Sequence, residues 1–196
     1  TARVFRTARL VNDLAAGKVL EPQLELLSFG STVRTAVEYM ESNARKNHVA
    51  IEFDLQENAP EFLYDEMYVI RIAENLVGNA VKAVAEMIPD EWLAENGEDF
   101  DATWGVVVVR YRYLEGHHIL EVEDDGAGMT PLTIRQILMG TAKSHWQRNT
   151  GTGLGTKVVH DLAETHGASI SIDSKVGEGT TFRIDFPHNV EASVTA

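Results

Sequence analysis

EVEDDGAGM, residues 121–129, is the stretch on which the reading of this chain turns. The run Ile119-Leu120-Glu121-Val122-Glu123 alternates apolar and charged side chains, the period of a half-buried strand. It stops on two carboxylates, Asp124 and Asp125, in front of two glycines one residue apart, Gly126 and Gly128. Taken alone, the stretch fits an Asp-Gly surface turn, an acidic metal cluster, or the floor of a nucleotide pocket. A cluster of Glu123, Asp124 and Asp125 fares poorly, because neighbours on a strand point to opposite faces.

The pocket reading has definite chemistry. Glycine lets the backbone pass close to a flat ligand. An ionised carboxylate accepts hydrogen bonds only. Adenine presents an exocyclic amino donor where guanine carries a carbonyl oxygen, so a buried Asp124 selects adenine. One such charge-assisted bond contributes roughly 1.5–3 kcal/mol.

Outward from this stretch, GVVVVRYRY (105–113) and HILEVED (118–124) read as two strands joined by a tight turn at Leu114-Glu115-Gly116-His117. VAIEFDL (49–55) alternates as a further strand, and two more close the fold at about 169–174 and 180–186. Helices are expected at 1–16, at about 31–46 with Ser31 as cap, at 65–87, and from Gly155 to His166. The third has a buried stripe of Val69, Ile72, Ala73, Leu76, Ala80 and Ala83, and Pro89 follows its end. Residues 89–104 are an acidic, aperiodic excursion whose Trp92 and Trp104 serve as core anchors or as a partner surface. A Gly-, Thr- and Ser-rich segment, 126–154, is loop apart from a short helix near 131–139.

The 196 residues suit one α/β domain with a short appendage, and 44% hydrophobic content fills a core. A net charge of −13 makes nucleic acid and anionic lipid poor partners. A phosphate ligand would then have to be attracted locally, by backbone N–H groups, a few cations or a metal. With no cysteine, disulfides and thiolate metal sites are excluded, which fits a reducing compartment. No apolar run is long enough to span a bilayer, and no signal peptide is recognised within these residues. The chain opens on Thr1 rather than Met and reads as a piece of something longer.

Two further motifs bear on phosphate. In ENLVGNAVK (74–82), Asn75 and Asn79 are one helical turn apart and Lys82 follows on the same face. Two carboxamides and an ammonium on one stripe can hold Mg²⁺ and the phosphates it neutralises, since Mg²⁺ takes oxygen ligands and keeps water. The plainer alternative is the polar face of an amphipathic helix. In GTGLG (151–155), glycines lead into a helix N-terminus, where free N–H groups and the helix dipole favour an anion. This is neither a Walker A loop nor a GxGxxG fingerprint.

In their order, these pieces resemble the GHKL ATP-binding superfamily of sensor histidine kinases, gyrase-type topoisomerases, mismatch-repair ATPases and a heat-shock chaperone. The order is Asn-x-x-x-Asn on a helix, Asp-x-Gly-x-Gly after a strand, Gly-x-Gly-x-Gly opening a helix, and Gly-Thr-Thr-Phe on a late strand. The resemblance covers about residues 25–187 and is nearest to the catalytic and ATP-binding domain of sensor histidine kinases. It implies a two-layer α/β sandwich, a mixed sheet with three main helices on one face, preceded by an N-terminal helix. By the same resemblance, Asp124 contacts adenine, Gly126 and Gly128 shape its pocket, and Thr180 supports it from the late strand. Asn79 holds Mg²⁺, Asn75 lies beside the phosphates as the candidate catalytic residue, and Lys82 reaches them. Gly151, Gly153, Leu154 and Gly155 close over the triphosphate, residues 129–150 form an ATP lid, and its Lys143 is a candidate phosphate contact.

The implied activity is phosphoryl transfer from Mg·ATP to a histidine, with onward passage to a response regulator. In water-activating GHKL ATPases a Glu stands four residues before the Mg-binding Asn; here that place is Asn75. Glu74 is one residue off, turned by about 100°, which disfavours a hydrolase. None of the seven histidines lies in the N-terminal helix, so the acceptor is expected outside this chain, on a dimerisation and histidine-phosphotransfer domain of the parent. Residues 1–20, through RLVNDLAAGKVL, resemble the end of that domain's second helix; 21–187 would be the catalytic domain and 188–196 a disordered tail. Such a parent is a homodimer acting in the cytoplasm, with membrane attachment left open. Two other readings stand beside it: a GHKL protein-serine kinase of the anti-sigma or dehydrogenase-kinase type, and a non-catalytic ATP-binding regulator. Ala83 stands where the kinases often carry an aromatic, which loosens the adenine pocket.

Overall fold

In the computed structural model, residues 21–99, 101–140 and 154–190 are described. The expected helix at 1–16, residues 141–150 of the lid and the last six residues lie outside them. The elements are β1 (Glu25–Leu27), α1 (Phe29–Lys46), β2 (Val49–Leu55), β3 (Phe62–Tyr64), α2 (Glu66–Ala85), α3 (Asp90–Asn96), β4 (Gly105–Leu114), β5 (His117–Asp124), α4 (Pro131–Leu138), α5 (Leu154–Thr165), β6 (Ser169–Lys175) and β7 (Gly179–Pro187).

Five strands form one mixed sheet in the order β2-β4-β5-β7-β6. Only β2 and β4 are parallel; the other three pairings are antiparallel. A parallel pair cannot be joined by a hairpin, and the crossover between β2 and β4 carries α2. The β4–β5 turn is two residues long. Glu115 and Gly116 both take positive φ, 51° and 82°, as the twist of a tight hairpin requires.

The core lies between one face of the sheet and the long helices. Val107, Val109, Tyr111, Leu120, Val122, Ile184 and Phe186 point inward from β4, β5 and β7. Val33 and Val37 of α1, a broad apolar face of α2, and Val159, Leu162 and Ala163 of α5 cover them. The opposite face is solvated, as antiparallel sheets permit. It carries ion pairs between neighbouring strands: Arg110 with Glu123, Arg112 with Asp54, and Arg183 with Glu121 at 3.2 Å.

Local chemistry explains the ends of α2. Asp65 is its N-cap; Oδ1 accepts from the Met67 N–H at 2.9 Å and less closely from Tyr68 at 3.4 Å. The Asp65 N–H in turn donates to His166 Nε2 at 3.0 Å, while His166 Nδ1 donates to the Leu162 carbonyl at 2.9 Å. An accepting Nε2 requires the neutral ring, and burial depresses the His166 pKa accordingly. This neutral imidazole pins the start of α2 to the end of α5.

Several expectations need correction. α1 begins at Phe29, not Ser31, and Ser28 is its N-cap residue. The cue that misled is clear: Ser28 makes no side-chain cap bond, and its Oγ lies 3.1 Å from Ser31 Oγ. β1 and β3, three residues each, pair with one another and were not anticipated. Trp92 and Trp104 are not core anchors. They meet edge to face at 5.7 Å, with Trp92 also against His48, in a cluster at the rim of the sheet. Beyond β7 the chain is still hydrogen-bonded: His188 Nδ1 lies 2.8 Å from His118 Nε2, and the Leu63 N–H donates to the Asn189 carbonyl at 2.7 Å.

Candidate functional site

The two adjacent aspartates do separate jobs. Asp125 is exposed and caps the start of β4, its Oδ1 accepting from the Val106 N–H at 3.0 Å. Asp124 faces inward and is 8% exposed. Its Oδ1 accepts from the Gly126 N–H at 3.0 Å. Burial pushes its carboxyl up to about 6, with Asp125 adding a smaller push in the same direction and the Gly126 bond opposing it. Thr180, 6% exposed, stands opposite Asp124 in the β5–β7 register.

The glycines around Asp124 are required by close approach. A Cβ on Gly126 would lie 2.6 Å from the carbonyl carbon of Ala83 and 2.8 Å from its Cβ. The Ala127 N–H donates to the Ala83 carbonyl at 3.3 Å, stapling this loop to α2. Gly128, at φ +63°, abuts the Lys175 carbonyl, and Gly179, at φ +102°, abuts that of Asp124. Ser174, which sequence reasoning missed, ties the two segments together. Its Oγ accepts from the Met129 N–H at 2.8 Å, donates to the Gly179 carbonyl at 2.9 Å, and lies 2.9 Å from Thr180 Oγ1. A serine on an exposed-looking alternating strand gives no signal of this in sequence.

On α2, Asn75 and Asn79 are half-buried and Lys82 is exposed. The Asn75 side chain donates to the Arg71 carbonyl at 2.7 Å. Its Oδ1 stands 2.7 Å from where a Cβ on Gly155 would sit, so the glycine that opens α5 is fitted against this asparagine. Glu74 is turned away from this line and bound to Arg71, with Nη1 to Oε2 at 2.8 Å. Leu154 begins α5, and nothing is described of its side chain. Gly151, Gly153 and Lys143 lie outside the described residues.

One line therefore organises the site. Asn75, Asn79 and Ala83 recur every four residues on a single stripe of α2. The second glycine segment touches its Asn75 end and the first touches its Ala83 end. The two contacts are two turns apart, about 12 Å along the axis, with Asp124 beside the Ala83 end. Among the described residues no group of three or more His, Asp or Glu could cage a metal. The carboxamide oxygens on this stripe are of the hard, neutral kind that Mg²⁺ takes alongside phosphate and water.

A family model described as "Histidine kinase-, DNA gyrase B-, and HSP90-like ATPase" matches residues 64–190, and the chain belongs to that family. Within it, the likeness runs to the ATP-binding domains of sensor histidine kinases. The cell-division control histidine kinase PdhS of Brucella canis is 30% identical over 197 residues, covering 91% of this chain and 17% of the relative. Its counterpart from Brucella anthropi is 31% identical over 198 residues with the same coverage. The chain thus spans about a sixth of the length of these relatives. Among solved structures, full-length ShkA in complex with AMPPNP gives a TM-score of 0.70 at 23% identity, covering 97% of this chain and 35% of that one. The catalytic domain of histidine kinase ThkA gives 0.67 at 16% identity, covering 85% and 97%. These likenesses carry the fold, a mixed five-stranded sheet layered with helices, as the motif order implied.

Proposed function

We propose that this domain binds Mg·ATP and donates the γ-phosphoryl group to a histidine on a dimerisation domain outside the described residues, for relay to a response regulator. The observation that carries the reading is the α2 stripe with a glycine segment fitted against each end and a buried carboxylate at one of them. Asp124 would accept from the adenine amino group. Asn79 would hold Mg²⁺, which neutralises phosphate charge when bound, while Asn75 and the N-terminus of α5 would face the phosphate tail. Phosphoryl transfer needs positioning and charge stabilisation more than a protein base. That Glu74 is engaged by Arg71 rather than free to activate water supports transfer over hydrolysis. The parent is proposed to act as a homodimer in the cytoplasm, with membrane attachment left open.

Calorimetric titration with ATP, with and without Mg²⁺, tests the binding. γ-labelled ATP with a separately supplied histidine-phosphotransfer domain tests the transfer. Acid-labile label on that domain is expected. Acid-stable label would point to a serine kinase, and tight binding with no transfer to a regulator that acts by binding alone.

A further inference from the structure

Arg71 stands one turn before Asn75 and extends the same stripe beyond it, at the end away from Ala83 and Asp124. A nucleotide laid along α2 with its base at Asp124 would point its last phosphate toward this residue. Two features mark its side chain. Nη1 is paired with Glu74 at 2.8 Å, whereas Nε is buried and has no hydrogen-bond partner among the described residues. A buried donor without an acceptor costs stability unless a ligand or water meets it. Its neighbour on the stripe, Asn75, is the residue against which the glycine of the phosphate-loop helix is fitted. Acidic residues outnumber Lys and Arg by 30 to 17, so a guanidinium at this place is not part of a general basic surface.

We infer that Arg71 binds the γ-phosphate, and that Glu74 holds its guanidinium in place until the nucleotide arrives. A guanidinium presents a planar fork of donors that matches two phosphate oxygens at once. Glu74, turned away from the phosphate line and paired with Arg71, then serves to orient that guanidinium rather than to activate water. The inference rests on the proposed nucleotide site and adds to it the residue that distinguishes ATP from ADP.

The test compares AMPPNP and ADP binding by calorimetry in the presence of Mg²⁺. Arg71→Gln is expected to weaken AMPPNP about tenfold while changing ADP less than about twofold. Arg71→Lys, which keeps charge without the fork, is expected to fall between. Glu74→Gln breaks the same ion pair but leaves the guanidinium, and should keep or tighten AMPPNP binding. Equal losses of both nucleotides in Arg71→Gln and Glu74→Gln would make the pair a helix-stabilising contact and overturn the inference, as would unchanged AMPPNP affinity in Arg71→Gln. If the unaltered protein bound ADP and AMPPNP normally, such a result would leave the proposed site standing; if it bound neither, both readings would fall together.

Discussion

Gly126 lies against Ala83 with no room for a side chain between them: a Cβ on the glycine would stand 2.8 Å from that of the alanine. This contact sets how close the end of β5 comes to α2, and hence where Asp124 sits relative to Asn79. Gly126→Ala should push the loop off the helix. Overpacking of this kind costs about 1–3 kcal/mol. A lowered thermal midpoint and ATP affinity weakened by an order of magnitude or more are expected, read by calorimetry on one sample.

With Asp124 at the adenine as proposed, nucleotide binding should depend on pH. An ionised carboxylate would accept from the adenine amino group more strongly than the neutral acid, and burial places the Asp124 titration near 6. ATP affinity should hold above that value and fall by up to about tenfold per pH unit below it. Asp124→Asn should flatten the profile, and Asp124→Ala should cost roughly ten- to a hundredfold at pH 7.5. Affinity for ATP that is equally strong at pH 5 and pH 7.5 would refute this role.

Stability has its own pH signature, because β5 carries two buried titratable groups of opposite sign. His118, fully buried, has its pKa lowered to about 4, burial being the main cause and His188 the next. Its ordinary value is 6.5, so its contribution is complete above 6.5 and is lost as pH falls toward 4. Asp124 is raised from 3.8 to about 6, so its contribution is complete below 3.8 and is lost as pH rises through 6. The two slopes oppose one another between about pH 4 and 6. Asp124→Asn should therefore gain stability relative to the parent chain as pH rises across that window, by an amount on the order of 2–3 kcal/mol. Urea denaturation at pH 4.5, 5.5 and 7 measures it.

Magnesium dependence should reside in one amide. There is no carboxylate cage among the described residues, so on the proposed assignment removing the Asn79 oxygen would leave the ion only phosphate and water. Asn79→Ala is expected to bring the ATP affinities with and without Mg²⁺ to within about threefold of each other, while ADP without metal binds as before. An undiminished metal effect in that variant would place the ion elsewhere.

Much of this arrangement is legible in the sequence, for physical reasons. The stripe on α2 and the alternation of β5 reflect periodicities imposed by the backbone, and glycines at close approaches have no substitutes. What is not legible depends on partners distant in the chain. β1 and β3 are too short to alternate and exist only through each other. Ser174 matters because three segments meet at its hydroxyl, and Arg71 because its donor is enclosed by neighbours that no spacing announces. Alternation along β5 puts His118 on the inward face with Leu120 and Val122, but nothing local announces that it packs between Phe62 and Tyr111. Asp124 could be singled out because the Asp-x-Gly-x-Gly spacing resembles that of a known family, not because burial was visible locally.

The parallel pairing of β2 with β4 has a genetic corollary. The chain must run back along the sheet between them, and α2 makes that return journey. One half of its circumference is what lets the strands align, and the other half is where phosphate would be met. A saturation survey of this single helix should thus sort into two alternating phenotypes every few codons: substitutions that reduce how much protein accumulates, and substitutions that leave abundance intact and silence it.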